Sequence, residues 1–392
     1  MHMCLSLILM LMLINISRTT TFTLNSSALF HKTTSHMNSY SPSNAMLKSG
    51  LNTIRCIDCF SFVQEAEIIP QEITSLSLLK TEEIRLNELL STVRNKKLNH
   101  LKNKPLNIGI LGFGRFGQFI GKTFNKYGKI TGINRSDCSA EADKMDVNFI
   151  LLNDLDELFP PEGSKLDVLI MSTSILSFSP IMKKILPIIK KSNILLVDVC
   201  SVKEHPRNVM LDLLDEYKNI DILCTHPMFG PESGKCNWKG LKFVYERTRI
   251  AGKVANIEEN VSSSTTDDKY IYNIDEDASN DRVERFISIF EEEGCEMIPM
   301  SAKLHDISAS NSQFITHLVG RILATQGLKR TPIDTNGFQN IMKVVDSTSN
   351  DSFDLFYGLY KYNKHSGGAI EGLRSAMETV ERELREMDEN PK

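Results

Sequence analysis

Three glycines, Gly112, Gly114 and Gly117, make a G-x-G-x-x-G turn inside "LNIGILGFGRFGQFIGKTFNKYGKITGINRSD", residues 106 to 137. The spacing suits a dinucleotide. The first glycine permits a tight turn, and the second lets the pyrophosphate approach the backbone. The third lets helix and strand pack closely, and the helix start attracts phosphate. Arg115 and Phe116, between the glycines, are assigned to the same cofactor site. A site for NAD usually carries Asp or Glu about 20 residues further on, to bond the ribose 2′-hydroxyl. Here that place holds Asn134, Arg135 and Ser136, and Asp137 comes a little late. A guanidinium and a hydroxyl suit a 2′-phosphate, so NADP is the expected cofactor.

A second set of polar residues ends successive apolar runs. Thr173 and Ser174 follow "LDVLIM", Ser201 follows "NILLVDVC", and His226 ends "DILCTHP". In a parallel sheet all such ends lie on one edge, where ligands bind, so Thr173, Ser201 and His226 are expected to converge. Proline and glycine at 227, 230 and 231 then forbid regular structure after His226. That arrangement either ends a strand or fixes a working side chain at the sheet edge.

The elements that must position these residues are legible from periodicity. Leu106 to Leu111 reads as a buried strand, 115 to 127 as a helix stopped by Gly128, and 129 to 133 as a second strand. From 281 the pattern turns helical. "RVERFISIFEEEG" is an amphipathic helix, "CEMIPM" a short strand, and 301 to 327 one long helix. On that helix His305, Ala309, Thr316 and Gly320 share a face, with Gln313, His317 and Arg321 a turn apart beside it. Three more helices are expected over about 338–349, 352–364 and 368–388. The fold class is an α/β N-terminal Rossmann domain, a doubly wound parallel sheet, followed by an all-helical C-terminal dimerisation domain. The expected organisation is a targeting presequence over 1–60, a helical lead-in over 61–104 and the NADP domain over 105–250. An acidic flexible insertion over 251–280 and the helical substrate and dimerisation domain over 281–392 complete it.

Composition limits the function class. The 392 residues are 41% hydrophobic and 24% charged, with net charge -4, which gives no electrostatic case for nucleic-acid binding. Cys56 and Cys59 form one C-x-x-C, but no second pair follows at zinc spacing, so no metal site is expected. "CLSLILMLMLI", residues 4 to 14, is too short for a comfortable membrane span and reads as a signal-peptide core. The Ser-, Thr- and Asn-rich stretch after it has no acidic residue until Asp58, like a plastid transit peptide. Together they read as the two-part presequence of a complex plastid, with no membrane segment in the mature chain.

The blocks "GFGRFGQFIGKT", "STSIL", "VDVCSVKEHPRN", "DILCTHPMFGPESGK", "HDISASNSQFITHLVGR" and "TPIDTNGFQNIMKVVDSTSNDSFDLFYGLYKYN" resemble, in order and spacing, the plant-type arogenate dehydrogenases. The resemblance covers about residues 105 to 385. It implies an NADP-dependent oxidative decarboxylation of arogenate to tyrosine in a homodimer, with prephenate as the alternative substrate. It implies that His226 is the catalytic histidine, which accepts the substrate hydroxyl proton, and that Ser201 positions substrate and histidine. It places His317, Gln313 and Thr316 in the substrate pocket. Bacterial members carry an arginine on the later helices for a substrate carboxylate, and "KVVDSTSNDSFD" has none. Ser347, Thr348 and Arg321 are the candidates here. An arogenate site should also set an anion near the substrate ammonium, and Asp306 is the expected one. A β-hydroxyacid dehydrogenase would share the two-domain plan, but it needs a lysine where the long helix offers Gln313 and His317.

Overall fold

The central strand β1 (Leu106–Leu111) has both faces covered, as its near-continuous apolar sequence requires. The chain is described here by a computed structural model over residues 76–255, 275–349 and 351–390. It divides into Met1–Leu79 and Lys80–Lys392. Of the first unit only 76–79 are described, as the opening residues of helix α1 (Leu76–Asn103). The presequence expected over 1–60 and residues 256–274 of the insertion lie outside the described residues.

After β1 come α2 (Arg115–Phe124), β2 (Gly128–Asn134), α3 (Ser139–Asp143) and β3 (Asn148–Leu151). Next are β4 (Val168–Met171), α4 (Ile175–Ile189), β5 (Leu195–Asp198), α5 (Glu204–Leu213) and β6 (Asp221–Pro227). The strand order is β3-β2-β1-β4-β5-β6, all parallel, which is the doubly wound arrangement. The carboxyl ends of β2, β1, β4, β5 and β6 therefore present Arg135, Gly112, Thr173, Ser201 and His226 in that order along one edge. Met171 pairs with Asp198 and Asp198 with Cys224, so His226 stands two residues beyond a shared level.

The sheet then reverses. β7 (Lys242–Ile250) runs antiparallel to β6, and β8 (Lys253–Val254) and β9 (Glu296–Pro299) both pair with β7. Helix α6 (Glu276–Glu292) lies on the sheet: its Val283, Phe286, Ile287 and Phe290 join one core with Ile108, Phe124, Trp238 and Phe243. The expectation of a helical domain from 281 is corrected here. The apolar stripe of α6 is buried against strands, so 276–299 belong to the Rossmann unit, and the helical region begins at α7 (Ala302–Ala309). The opposite sheet face is covered by α4 and α5 through Phe178, Met182, Ile185 and Met210.

The long helix expected over 301–327 forms with an interruption. α7 passes into a π-helical turn, Ser310–Phe314, then α8 (Ile315–Gln326), closed by Gly327 in the left-handed region. Helices α9 (Asn336–Ser349), α10 (Phe353–Tyr362) and α11 (Ser366–Glu389) follow. The two parts are joined at the sheet edge. Val202, beside Ser201, is buried with Phe314 of the π turn and Leu359 of α10. No helix among the described residues is long and apolar enough to cross a membrane.

Candidate active site

The glycine turn fits a dinucleotide on its own geometry. Gly112 has φ +99°, and a Cβ there would strike the Ser172 carbonyl, so only glycine serves. A Cβ on Gly117 would strike the Gly112 carbonyl, which is the close helix–strand approach the spacing implied. At Gly114, the N-cap of α2, a Cβ would meet nothing, and no side chain caps the helix start. The first N–H groups of α2 are thus open to an anion beside exposed Arg115 and half-buried Phe116. Arg115 also pairs with Glu232 of the loop after β6 at 2.9 Å. The Ser172 and Thr173 hydroxyls are buried without a partner among the described residues, as expected of groups that face a ligand. Ser174 instead caps α4 through the Leu176 N–H.

At the end of β2 Arg135 and Ser136 are exposed, while Asn134 bonds the Ser136 carbonyl. Asp137 is committed elsewhere: its Oδ1 accepts the Ser139 N–H at 2.8 Å, which holds its pKa below the usual carboxylate value. Asp137 is therefore tied to the start of α3, while Arg135 and Ser136 stay exposed beside it.

His226 ends β6 with its imidazole buried. Its Nδ1 lies 2.8 Å from His305 Nε2 on α7, so Nε2 is the atom left for a substrate. Burial, above all, pushes His226 well below its ordinary pKa of 6.5. The ring is thus neutral and able to accept a proton. Ser201 is half-buried on the turn after β5. That turn is fixed by Lys203, whose ammonium is buried between Asp198 of β5 and the Thr225 carbonyl of β6. Burial opposes the Lys203 charge, but Asp198, together with the neighbouring Cys200 and Cys224, holds the ammonium above its ordinary pKa.

On the helical side Gln313 Oε1 and Arg321 Nε are buried without a hydrogen-bond partner among the described residues, and buried His317 Nδ1 has no hydrogen bond there but stands near the Asp351 carboxylate. The three stand at i, i+4 and i+8, and Gln313 sits in the π turn, a distortion frequent at functional sites. Burial lowers the His317 pKa against an opposing Asp351 carboxylate, 3.7 Å from Nδ1. Thr316 is exposed and bonds the Ser312 carbonyl one turn back.

Three expectations change. Asp306 does not face a substrate ammonium. It is fully buried, its Oδ1 meets His305 Nδ1 and the Lys203 N–H, each at 2.8 Å, and its Oδ2 accepts the Glu204 N–H at 2.9 Å. Thr348 is pressed against Gly320 and bonds the Val344 carbonyl, and Ser347 bonds that same carbonyl. Neither is free to hold a carboxylate. Arg321 bonds the Asp351 and Ser352 carbonyls and lies over the rings of Phe353 and Phe356, yet keeps Nε unpartnered. The sequence marked Lys203 as a polar residue at a strand end without a role, and did not by itself reveal the partnership of His305. The signals available were a lysine just after a strand and a His-Asp pair opening the long helix.

A glycine turn at the edge of a doubly wound sheet, facing a helical region across a neutral buried histidine, defines a two-domain dinucleotide-dependent dehydrogenase. The family model for the prephenate dehydrogenase nucleotide-binding domain matches residues 120–249, and that for the TYRAAT1-like C-terminal domain matches 322–392. The sequence is 40% identical over 290 residues to arogenate dehydrogenase 2, chloroplastic, of Arabidopsis thaliana, covering 74% of this chain and 72% of that one. It is 40% identical over 312 residues to arogenate dehydrogenase 1, chloroplastic, of the same plant, covering 79% of this chain and 44% of the relative. The chain thus spans less than half the length of that relative. Among solved structures, prephenate dehydrogenase of A. aeolicus with hydroxyphenyl propionate and NAD+ superposes with TM-score 0.51 at 18% identity, over 73% of this chain and 93% of that one. The chain belongs to the arogenate dehydrogenase branch of the prephenate dehydrogenase family.

Proposed function

We propose that the protein catalyses the NADP-dependent oxidative decarboxylation of arogenate to tyrosine. The observation that carries the reading is His226: a neutral imidazole at the sheet edge, Nδ1 occupied by His305 and Nε2 left over. Gly112, Gly114, Arg115, Phe116 and Gly117 would hold the cofactor, and Asn134, Arg135 and Ser136 its 2′-phosphate; bound there it would supply the hydride acceptor for a reaction that releases CO₂ and leaves an aromatic ring. His226 Nε2 accepts the proton of the ring hydroxyl, and the Ser201 turn, held by Lys203, positions that contact. For the substrate's polar groups, Gln313, His317 and Arg321 offer buried polar atoms that lack a hydrogen-bond partner among the described residues. Arogenate carries an ammonium where prephenate carries a keto group. The carboxylate of Asp351 beside His317 favours the cation, and the relatives' names agree with arogenate.

The test is to assay the purified protein with arogenate and prephenate, each with NADP and with NAD. A higher kcat/KM for arogenate with NADP supports the reading, and preference for prephenate overturns its substrate half. The cofactor half has its own variant. Arg135→Ala should weaken NADP far more than NAD, because only NADP carries the 2′-phosphate a guanidinium can clamp. Equal losses would make Arg135 structural and remove that support.

The proposal extends to assembly and address. Met377, Val380, Leu384 and Met387 of α11 are exposed at coiled-coil spacing, which supports a homodimer. Light scattering at the monomer mass would refute it. Plastid residence follows from the presequence reading and from relatives named chloroplastic. Cytosolic fluorescence from a fusion of residues 1–60 would refute that.

A further inference from the structure

Asp306 and His305 form a buried chain that ends on His226. Asp306 Oδ1 lies 2.8 Å from His305 Nδ1, and His305 Nε2 lies 2.8 Å from His226 Nδ1. All three side chains are at most 4% exposed, so water does not compete for these bonds. The carboxylate is itself held by the Lys203 and Glu204 N–H groups at the start of α5. The direction of the chain follows from its fixed end. A carboxylate only accepts, so His305 Nδ1 carries the hydrogen. With its one hydrogen on Nδ1, His305 accepts at Nε2, which puts the His226 hydrogen on Nδ1 and the lone pair on Nε2.

We propose that His305 and Asp306 are positioning residues that hold His226 in the one tautomer whose remaining nitrogen, Nε2, can take a proton. The inference rests on the reading of His226 as the proton acceptor. Were His226 free to carry its hydrogen on Nε2, that atom would donate to the substrate hydroxyl instead of accepting from it. The bond to His305 also orients the ring, since it sets where Nδ1 points, and His305 is itself held by Asp306. Asp306 therefore ties the base to the turn that carries Ser201, through the same carboxylate that caps α5.

His305 gives the cleaner test, because Asp306 also holds the backbone of α5. His305→Leu should lower kcat roughly 10- to 10³-fold, less than the ~10⁴-fold that a wrong tautomer costs a serine-protease triad. KM and NADP affinity should change little. His305→Gln should recover most of the loss, because its amide oxygen stands where Nε2 stood and accepts from His226 Nδ1. In a His226→Asn background His305→Leu should cost nothing further, since it acts only through that ring. Equal losses for Leu and Gln, or an additive loss in the double variant, would overturn the inference. So would a fully active His305→Leu beside an inactive His226→Asn, which leaves the base reading intact. A His226→Asn enzyme with normal turnover would overturn both. Should His305→Leu not fold, ring ¹⁵N shifts of wild-type His226 read the tautomer directly, and a proton on Nε2 would refute the proposal.

Discussion

His226→Asn is expected to lower kcat by roughly 10²- to 10⁴-fold, the usual worth of a positioned general base. NADP affinity should be nearly unchanged, because the glycine turn and Arg135 belong to other strands. Asparagine preserves a polar group near Nδ1 and can keep a bond to His305, so the fold should survive while the proton acceptor is lost. The same residue sets a pH signature. Burial keeps His226 well below 6.5 in the folded chain. The acidic limb of kcat/KM, which reports the free enzyme, should therefore fall below that value. Stability carries the matching sign. Between the folded and unfolded values the unfolded chain binds the extra proton, so His226 costs stability as pH falls below about 6.5. Near-normal turnover in His226→Asn would remove the histidine from the mechanism.

Lys203→Met should destabilise the protein by about 3–5 kcal/mol, the cost of leaving one member of a buried ion pair without its partner. Asp198 has no exposed surface, and burial raises its pKa against the opposing lysine. Asp198 Oδ1 also accepts the Cys200 N–H at 3.0 Å, so the pair sits under the turn that carries Ser201. Denaturant melts of Lys203→Met and of Lys203→Met/Asp198→Leu separate the two parts of this cost. The double variant should regain part of the loss, because a buried pair replaced by apolar groups is often neutral. A single variant within experimental error of wild type would sink the ion-pair account, because Asp198, its pKa raised by burial, would then have taken up a proton in place of the lysine.

The chain's local chemistry was readable in advance where the signal was local. G-x-G-x-x-G, the apolar run before it and the helix after it are set by steric needs over a dozen residues, and β1, α2 and β2 formed there. The strand "DILCTHP" formed over the same seven residues, with apolar Ile222–Cys224 at its centre and Pro227 at its end. What each strand pairs with was not local. Alternation in β7 fits either direction, and the strand pairs antiparallel with β6. The stripe of α6 says that it buries a face, not which layer receives it, and the sheet received it. The roles of Asp306 and His305 depended on folding in the same way. A carboxylate at a helix start reads equally as a cap, a substrate group or a partner of its neighbour. His226 lies 79 residues from His305. Periodicity reports only the face a residue occupies, and the identity of the opposing group is fixed when two distant elements are buried together.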